Sequence, residues 1–195
     1  MARRIAVFDF DGTLVYDDSF MTFARHALRW STWVRKCIKS LPTIIKWKLG
    51  KITNSQAKEV MFTHLYCGIS SQIIAEKAKT FAPRYNQAVL NRLKWHLQNN
   101  DKVYIISASL DLWLKKIAND LGVNLLCTMA EINSSGIITG RFATPNCHGS
   151  EKSARFLAAE PNRQDYTLIV YGDSSGDANL WAIADEAINV RTQEL

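Results

Sequence analysis

One stretch near the N-terminus constrains the fold more than any other. Ile5, Ala6, Val7 and Phe8 form an uninterrupted apolar run, and Asp9, Phe10, Asp11, Gly12 and Thr13 follow at once. Such a run reads as a strand buried on both faces, as in a parallel sheet. Side chains two apart in extended chain point the same way, so Asp9 and Asp11 converge on one space beyond the strand's end. Two carboxylates held that close repel unless a cation or a shared proton lies between them. Gly12 permits a tight turn whose N–H groups can face an anion. A polar turn after a strand accounts for one acid and a glycine, but not for the whole string.

From Pro83 onward the chain alternates helix and strand. A helix is predicted to Gln98, a strand over Val103–Ile106 ending in Ser107, and a helix over Leu110–Leu121 stopped by Gly122. Strands over Leu125–Ile132 and Ile137–Phe142 are joined by Asn133, Ser134, Ser135 and Gly136, a hairpin-like turn. A helix over Glu151–Ala159, a strand over Thr167–Tyr171, a helix through Ala184 and a short strand over Ala187–Val190 complete the series. Alternating units of this kind imply an α/β fold: a parallel, Rossmann-like sheet with helices on both faces and active groups at the strands' carboxyl ends.

Between the first strand and this series lies a helical insertion, residues 16–82, which leaves residues 1–15 and 83–195 for the core. Helices are predicted over Phe20–Trp30, Trp33–Leu49, from Asn54 or Ser55 to Tyr66, and from Ser70 or Ser71 to Phe81. In the second, Trp33, Val34, Cys37, Ile38, Leu41, Ile44 and Ile45 share one face, and Arg35, Lys36, Lys39 and Lys46 lie opposite. Pro42 should kink this helix or split it. Charge is concentrated here as well. Nine Lys/Arg and no Asp or Glu fall between Ser19 and Lys58, so the net +6 of the chain (24 basic, 18 acidic) becomes 15 against 18, or −3, elsewhere.

The string Asp9, Phe10, Asp11, Gly12, Thr13 resembles the DxDGT signature of the haloacid dehalogenase-like (HAD) phosphatase superfamily. The other strand ends carry the remaining marks of that family in order. Ser107 closes a hydrophobic strand, Lys152 follows Gly149, Ser150 and Glu151 at a helix start, and Gly172, Asp173 and Asp177 spell GDxxxD. The resemblance implies Mg²⁺ held by Asp9, Asp173 and the Asp11 backbone carbonyl, with Asp9 the nucleophile and Asp11 the general acid and base. It implies that Ser107, Lys152 and the loop formed by Gly12, Thr13, Ala108 and Ser109 receive the phosphate oxygens. Asp177 holds the metal, orients Lys152 or caps the last helix. With an acid at Asp11, a phosphatase is favoured over a dehalogenase or a P-type ATPase.

An insertion between the first and second motifs resembles the C1 cap of subfamily IB, the phosphoserine phosphatase-like group. The amino-acid-reading residues differ. That group has Glu where this chain has Asp18, Arg where an ungapped alignment puts Met61, Ser-Gly-Gly where it has Ser107, Ala108 and Ser109, and Asn where it has Gly176. His148, Gly149, Ser150, Glu151 and Lys152 with the basic, Trp-rich cap are similar instead to phosphatidylglycerophosphatase C. His148 is then a substrate contact or an ordinary loop histidine. The expected substrate is therefore an anionic, partly apolar phosphomonoester of lipid type. Phosphoserine or another small phosphometabolite is the alternative.

Two other classes fit less well. A phosphoacceptor receiver domain places its Asp after a later strand and has no large insertion. A non-catalytic module would use the basic helices to bind acidic lipid or nucleic acid. No nucleic acid partner is expected of the enzyme. Four cysteines at 37, 67, 127 and 147 show neither CxxC nor zinc-like spacing, which suits reduced thiols in a cytoplasmic protein. Asp9 arrives too early after Arg3 and Arg4 for a signal peptide, and no apolar stretch reaches bilayer-spanning length. The cap offers peripheral contact with an anionic membrane.

Overall fold

The computed structural model describes residues 3–193. Strand β1 (Arg3–Phe8) is the centre of a five-stranded, wholly parallel sheet. Its neighbours are β2 (Lys102–Leu110) and β6 (Tyr166–Gly172); β3 (Asn124–Thr128) and β7 (Glu186–Asn189) form the edges. Phe8 pairs with both Ile105 and Tyr171, so the carboxyl ends of the three central strands stand level. Both faces of β1 are covered. Ile5 and Val7 pack with Phe156 and Leu180 of α7 (Ser150–Ala159) and α8 (Ala178–Trp181). Ala6 and Phe8 pack on the opposite side with α5 (Gln87–Gln98) and α6 (Asp111–Leu121).

Four helices occupy the insertion: α1 (Ser19–Ala27), α2 (Trp30–Lys48), α3 (Asn54–Tyr66) and α4 (Ser71–Lys79). Side chains cap two of them, while α2 starts at Trp30, three residues before the expected Trp33, and α2 and α4 lack a side-chain cap. The Asp18 side chain accepts from the Phe20 N–H, and Thr53 and Gln56 form a reciprocal capping box. An aromatic cluster fixes the insertion to the sheet layer: the Phe23 ring stacks on Trp113 of α6 at 4.8 Å, with Phe20 and Tyr66 beside it. The Trp113 Nε1–H donates to Ser19 Oγ at 3.0 Å.

Three expectations change. Of the two outcomes expected at Pro42, a kink or a split, the split does not occur: Pro42 lies inside one continuous helix, on an exposed face. The segment expected as one strand from Leu125 to Ile132 breaks at Met129. Its first half joins the main sheet as β3, and its second half becomes β4 (Ala130–Ile132), which pairs antiparallel with β5 (Ile138–Phe142). This hairpin grips α3, because Thr63 Oγ1 donates to Gly140 O at 2.7 Å and Phe142 N to Glu59 Oε1 at 3.0 Å. The expected helix through Ala184 is a short 3₁₀ turn (Ser175–Asp177) followed by four residues of α8.

The amphipathic face of α2 is only half covered. Trp33, Val34, Cys37 and Ile44 are partly buried, while Ile38, Leu41 and Ile45 stay in solvent. Lys36 does not belong to the solvated face. Its Nζ donates to the carbonyls of His64 and Leu65, both at 2.9 Å, satisfying the C-terminal end of α3. Among the described residues no helix is long and apolar enough to cross a membrane.

Candidate active site

The level ends of β2, β1 and β6 deliver Ser107, Asp9 and Asp173 to one place, and the first turn of α7 adds Lys152. Asp9 is held there by its own strand pairing, since its N–H donates to Tyr171 O at 2.9 Å. All the charged groups of this floor are nearly out of water: Asp9 and Asp173 are 7% exposed, Lys152 3% and Asp177 1%. Buried charges must be paired, and these are. Lys152 Nζ donates to Asp9 Oδ1 and Asp177 Oδ1, each at 2.6 Å. The other Asp177 oxygen accepts from the N–H groups of Asp173 (3.1 Å) and Ser174 (3.3 Å). Asp177 thus contacts Lys152 with one oxygen and the turn after β6 with the other, while its carboxylate also stands in the acidic cluster with Asp9 and Asp173.

Thr13 lies beneath, fully buried, its hydroxyl 3.4 Å from both Asp9 Oδ2 and Asp173 Oδ1. Gly12 has φ +79°, and a Cβ there would stand 2.6 Å from Asp173 Oδ2. Only glycine lets the loop after β1 approach that carboxylate so closely. Asp11 is gripped at both oxygens, by the Ser19 N–H at 2.7 Å and by the Ser109 hydroxyl. Ser109 is itself bonded to Ser19 Oγ and receives no solvent, so it stands behind Asp11 and not in the cavity wall. The Ser109 N–H in turn donates to Ser107 Oγ at 3.0 Å.

Above this floor is a cavity of about 500 Å³. Asp9, Asp11, Gly12, Asp18, Ser107, Ala108, Lys152 and Asp173 line it; Thr13, Ser109 and Asp177 support it from outside. Its roof comes from the insertion: Ile44 and Trp47 of α2, and Ala57, Lys58 and Met61 of α3. His148 joins the wall, and a Cβ at Gly176 would come within 3.0 Å of His148 Nε2, so the histidine takes the room a larger residue would need.

Two lining residues escaped the sequence reading. Lys58, on α3, sets its ammonium 5.5 Å from the Phe20 ring centroid and has no salt-bridge partner among the described residues. Burial draws its ammonium below the usual lysine range, with Asp11, Asp18 and Asp9 restoring part. Arg191, beyond β7, pairs with Asp173. Neither bears a local signal: one is a lysine on a basic helix, the other an arginine in a terminal loop.

Burial pushes the Asp9 carboxyl up to about 7, Lys152 pulling it down and Asp177 and Asp11 adding to the rise. Burial opposes the Lys152 ammonium too, but Asp9 and Asp177 outweigh it and hold the group above the usual lysine range. Burial, then the nearby charge of Asp11, raises Asp18. Asp9, Asp173 and Asp177 each bring a carboxylate oxygen within 4.8 Å of the others. An all-oxygen, anionic donor set at the floor of a cavity suits a hard divalent cation such as Mg²⁺.

Comparison with known proteins agrees with this fold. The chain is 31% identical to the protein CicA of Caulobacter vibrioides over a 192-residue alignment covering 93% of this chain and 83% of the relative. A protein of unknown function from Bordetella pertussis has the same fold (TM-score 0.83, 24% identity, 97% of this chain and 90% of the other). A phosphoserine phosphatase solved as a phospho-aspartyl intermediate analogue superposes with a TM-score of 0.67 at 19% identity, covering 97% and 87%. The sequence model of the haloacid dehalogenase-like hydrolases matches residues 6–181, from within β1 to the end of α8, and the chain therefore belongs to that family.

Proposed function

We propose that the protein is a Mg²⁺-dependent phosphomonoester hydrolase that works through an aspartyl-phosphate on Asp9. The observation that carries this reading is the buried Asp9 carboxylate, bonded to Lys152 and clustered with Asp173 at the floor of a cavity whose wall includes Asp11. A cation held by Asp9, Asp173 and the Asp11 carbonyl would shield the dianionic ester and return the buried Asp9 to its ionised form. Asp9 attacks phosphorus in line, the P–O ester bond breaks, and Asp11 gives its proton to the departing alkoxide. Asp11 then takes a proton from the water that attacks the aspartyl-phosphate, and inorganic phosphate leaves. Lys152, Ser107 and the loop N–H groups at Gly12 and Ala108 receive the equatorial oxygens. Ser109 and Ser19 keep Asp11 aimed, and Asp177 keeps Lys152 aimed.

The inserted helices act as a lid over the leaving group. Their apolar residues and the cation of Lys58 favour an anionic, partly apolar ester, and the basic, Trp-bearing exterior of α2 provides contact with an anionic membrane surface. A second reading is a small phosphometabolite carrying both charges, because Asp18 and Lys58 stand in the same wall. A turnover panel with Mg²⁺ tests the function: alkyl phosphates, lysophosphatidic acid, phosphatidylglycerol phosphate, phosphoserine, sugar phosphates and nucleotides. Metal-dependent release of phosphate from at least one class, abolished reversibly by EDTA, is expected. No turnover of any would overturn the reading.

A further inference from the structure

The roof of the catalytic cavity has a second face. A second hollow of about 200 Å³ runs between α2 and α3 and shares Ile44 and Met61 with it. Trp33, Cys37, Leu41 and Leu65 line its length, and no charged residue touches it. Two polar groups lie in its wall: the Ser40 hydroxyl donates to Lys36 O at 3.0 Å and lies 3.1 Å from His64 Nδ1, and the Trp33 indole N–H is buried without a partner among the described residues. From Ile44 to Trp33 the groove follows α2 for about 16 Å, eleven residues at the α-helical rise. Along its rim Ile38 and Leu41 are 60% and 51% exposed, apolar surface that none of the described residues covers. Polar floor, largely apolar roof with Lys58, and apolar groove thus lie side by side from Asp9 outward.

We propose that the groove between α2 and α3 is a subsite for the unbranched alkyl or acyl chain of a phosphomonoester whose phosphate sits at Asp9. The proposal rests on the phosphatase reading and deepens it. A headgroup alone would leave the groove empty; a single chain passing between Ile44 and Met61, which line both hollows, would enter it. The full chain with Mg²⁺ is titrated with n-alkylphosphonates from ethyl to decyl, below their micelle concentrations, by calorimetry. The Kd should fall roughly two- to fourfold per methylene while the groove fills, and inorganic phosphate should compete. Leu41→Glu, a rim change with room to turn outward, should flatten that dependence. The slope is a ratio within each protein, so partial misfolding does not imitate the effect. A wild-type Kd independent of chain length, a slope unchanged in Leu41→Glu, or binding indifferent to phosphate overturns the subsite. Chain-dependent binding without turnover of the matching alkyl phosphates would overturn the phosphatase reading alone, and turnover with a flat slope the subsite alone.

Discussion

Lys152→Met removes the one cation between two buried carboxylates while keeping the length of the side chain. In the wild type its ammonium lies 2.6 Å from both Asp9 and Asp177, and all three groups are under 10% exposed. Breaking a buried ion pair by deleting one partner costs about 3–5 kcal/mol, because the remaining charge is desolvated and unpaired. At 2–4 °C per kcal/mol for a chain of this size, Tm should fall by about 6–20 °C. The assay is thermal unfolding at pH 7 in EDTA, so that no divalent ion replaces the lost charge. The deficit has a sign in pH. Without Lys152 the folded Asp9, which burial already raises and Lys152 pulls down, binds a proton more readily still than in the unfolded chain. Stability is then lost as pH rises from the ordinary carboxylate range toward the raised folded value, so the deficit should be smaller at pH 5 than at pH 7. A Tm within 2 °C of wild type at pH 7, or a deficit that grows on acidification, would refute the assignment of Lys152 as their counter-charge.

Asp11→Asn should slow hydrolysis of alkyl phosphates by roughly 10²–10⁴-fold and of aryl phosphates by less, since aryl leaving groups need less protonation; equal losses on both would exclude the acid role. Vesicle co-sedimentation tests the membrane contact. Binding to anionic vesicles should weaken with salt and, in Lys39→Glu/Lys46→Glu, by about 2 kcal/mol or roughly 30-fold, whereas absence of binding at low salt would leave α2 a solvated helix. Lys36 is unsuited to that variant because it closes the end of α3.

What the sequence made legible follows from the strictness of each local requirement. Asp9, Asp11 and Gly12 must stand at fixed spacing after a buried strand, and Asp173 and Asp177 must bracket a tight turn, so their pattern survives in one dimension. Ser109 did not reveal its place. With β2 taken to end at Ser107, it read as a loop residue facing phosphate. The strand runs on to Leu110 through a register shift, which turns Ser109 inward onto Asp11. Lys58 and Arg191 were hidden for a different reason: each reaches the cavity only through the docking of its segment on the sheet, a long-range event without local trace. The same holds for the hairpin β4–β5, whose turn was visible but whose partner, α3, was not.

The central claim is that Asp9 carries the phosphoryl group. The direct measurement is acid-quenched turnover of a ³²P-labelled substrate with Mg²⁺, followed by digestion and location of the label. The wild type should retain hydroxylamine-labile phosphate on the peptide containing residue 9, up to one per chain, and Asp9→Asn should retain none and lose turnover. Label on another residue, or an Asp9→Asn enzyme that keeps a tenth of wild-type kcat, a deficit of only ~1.4 kcal/mol, would contradict it.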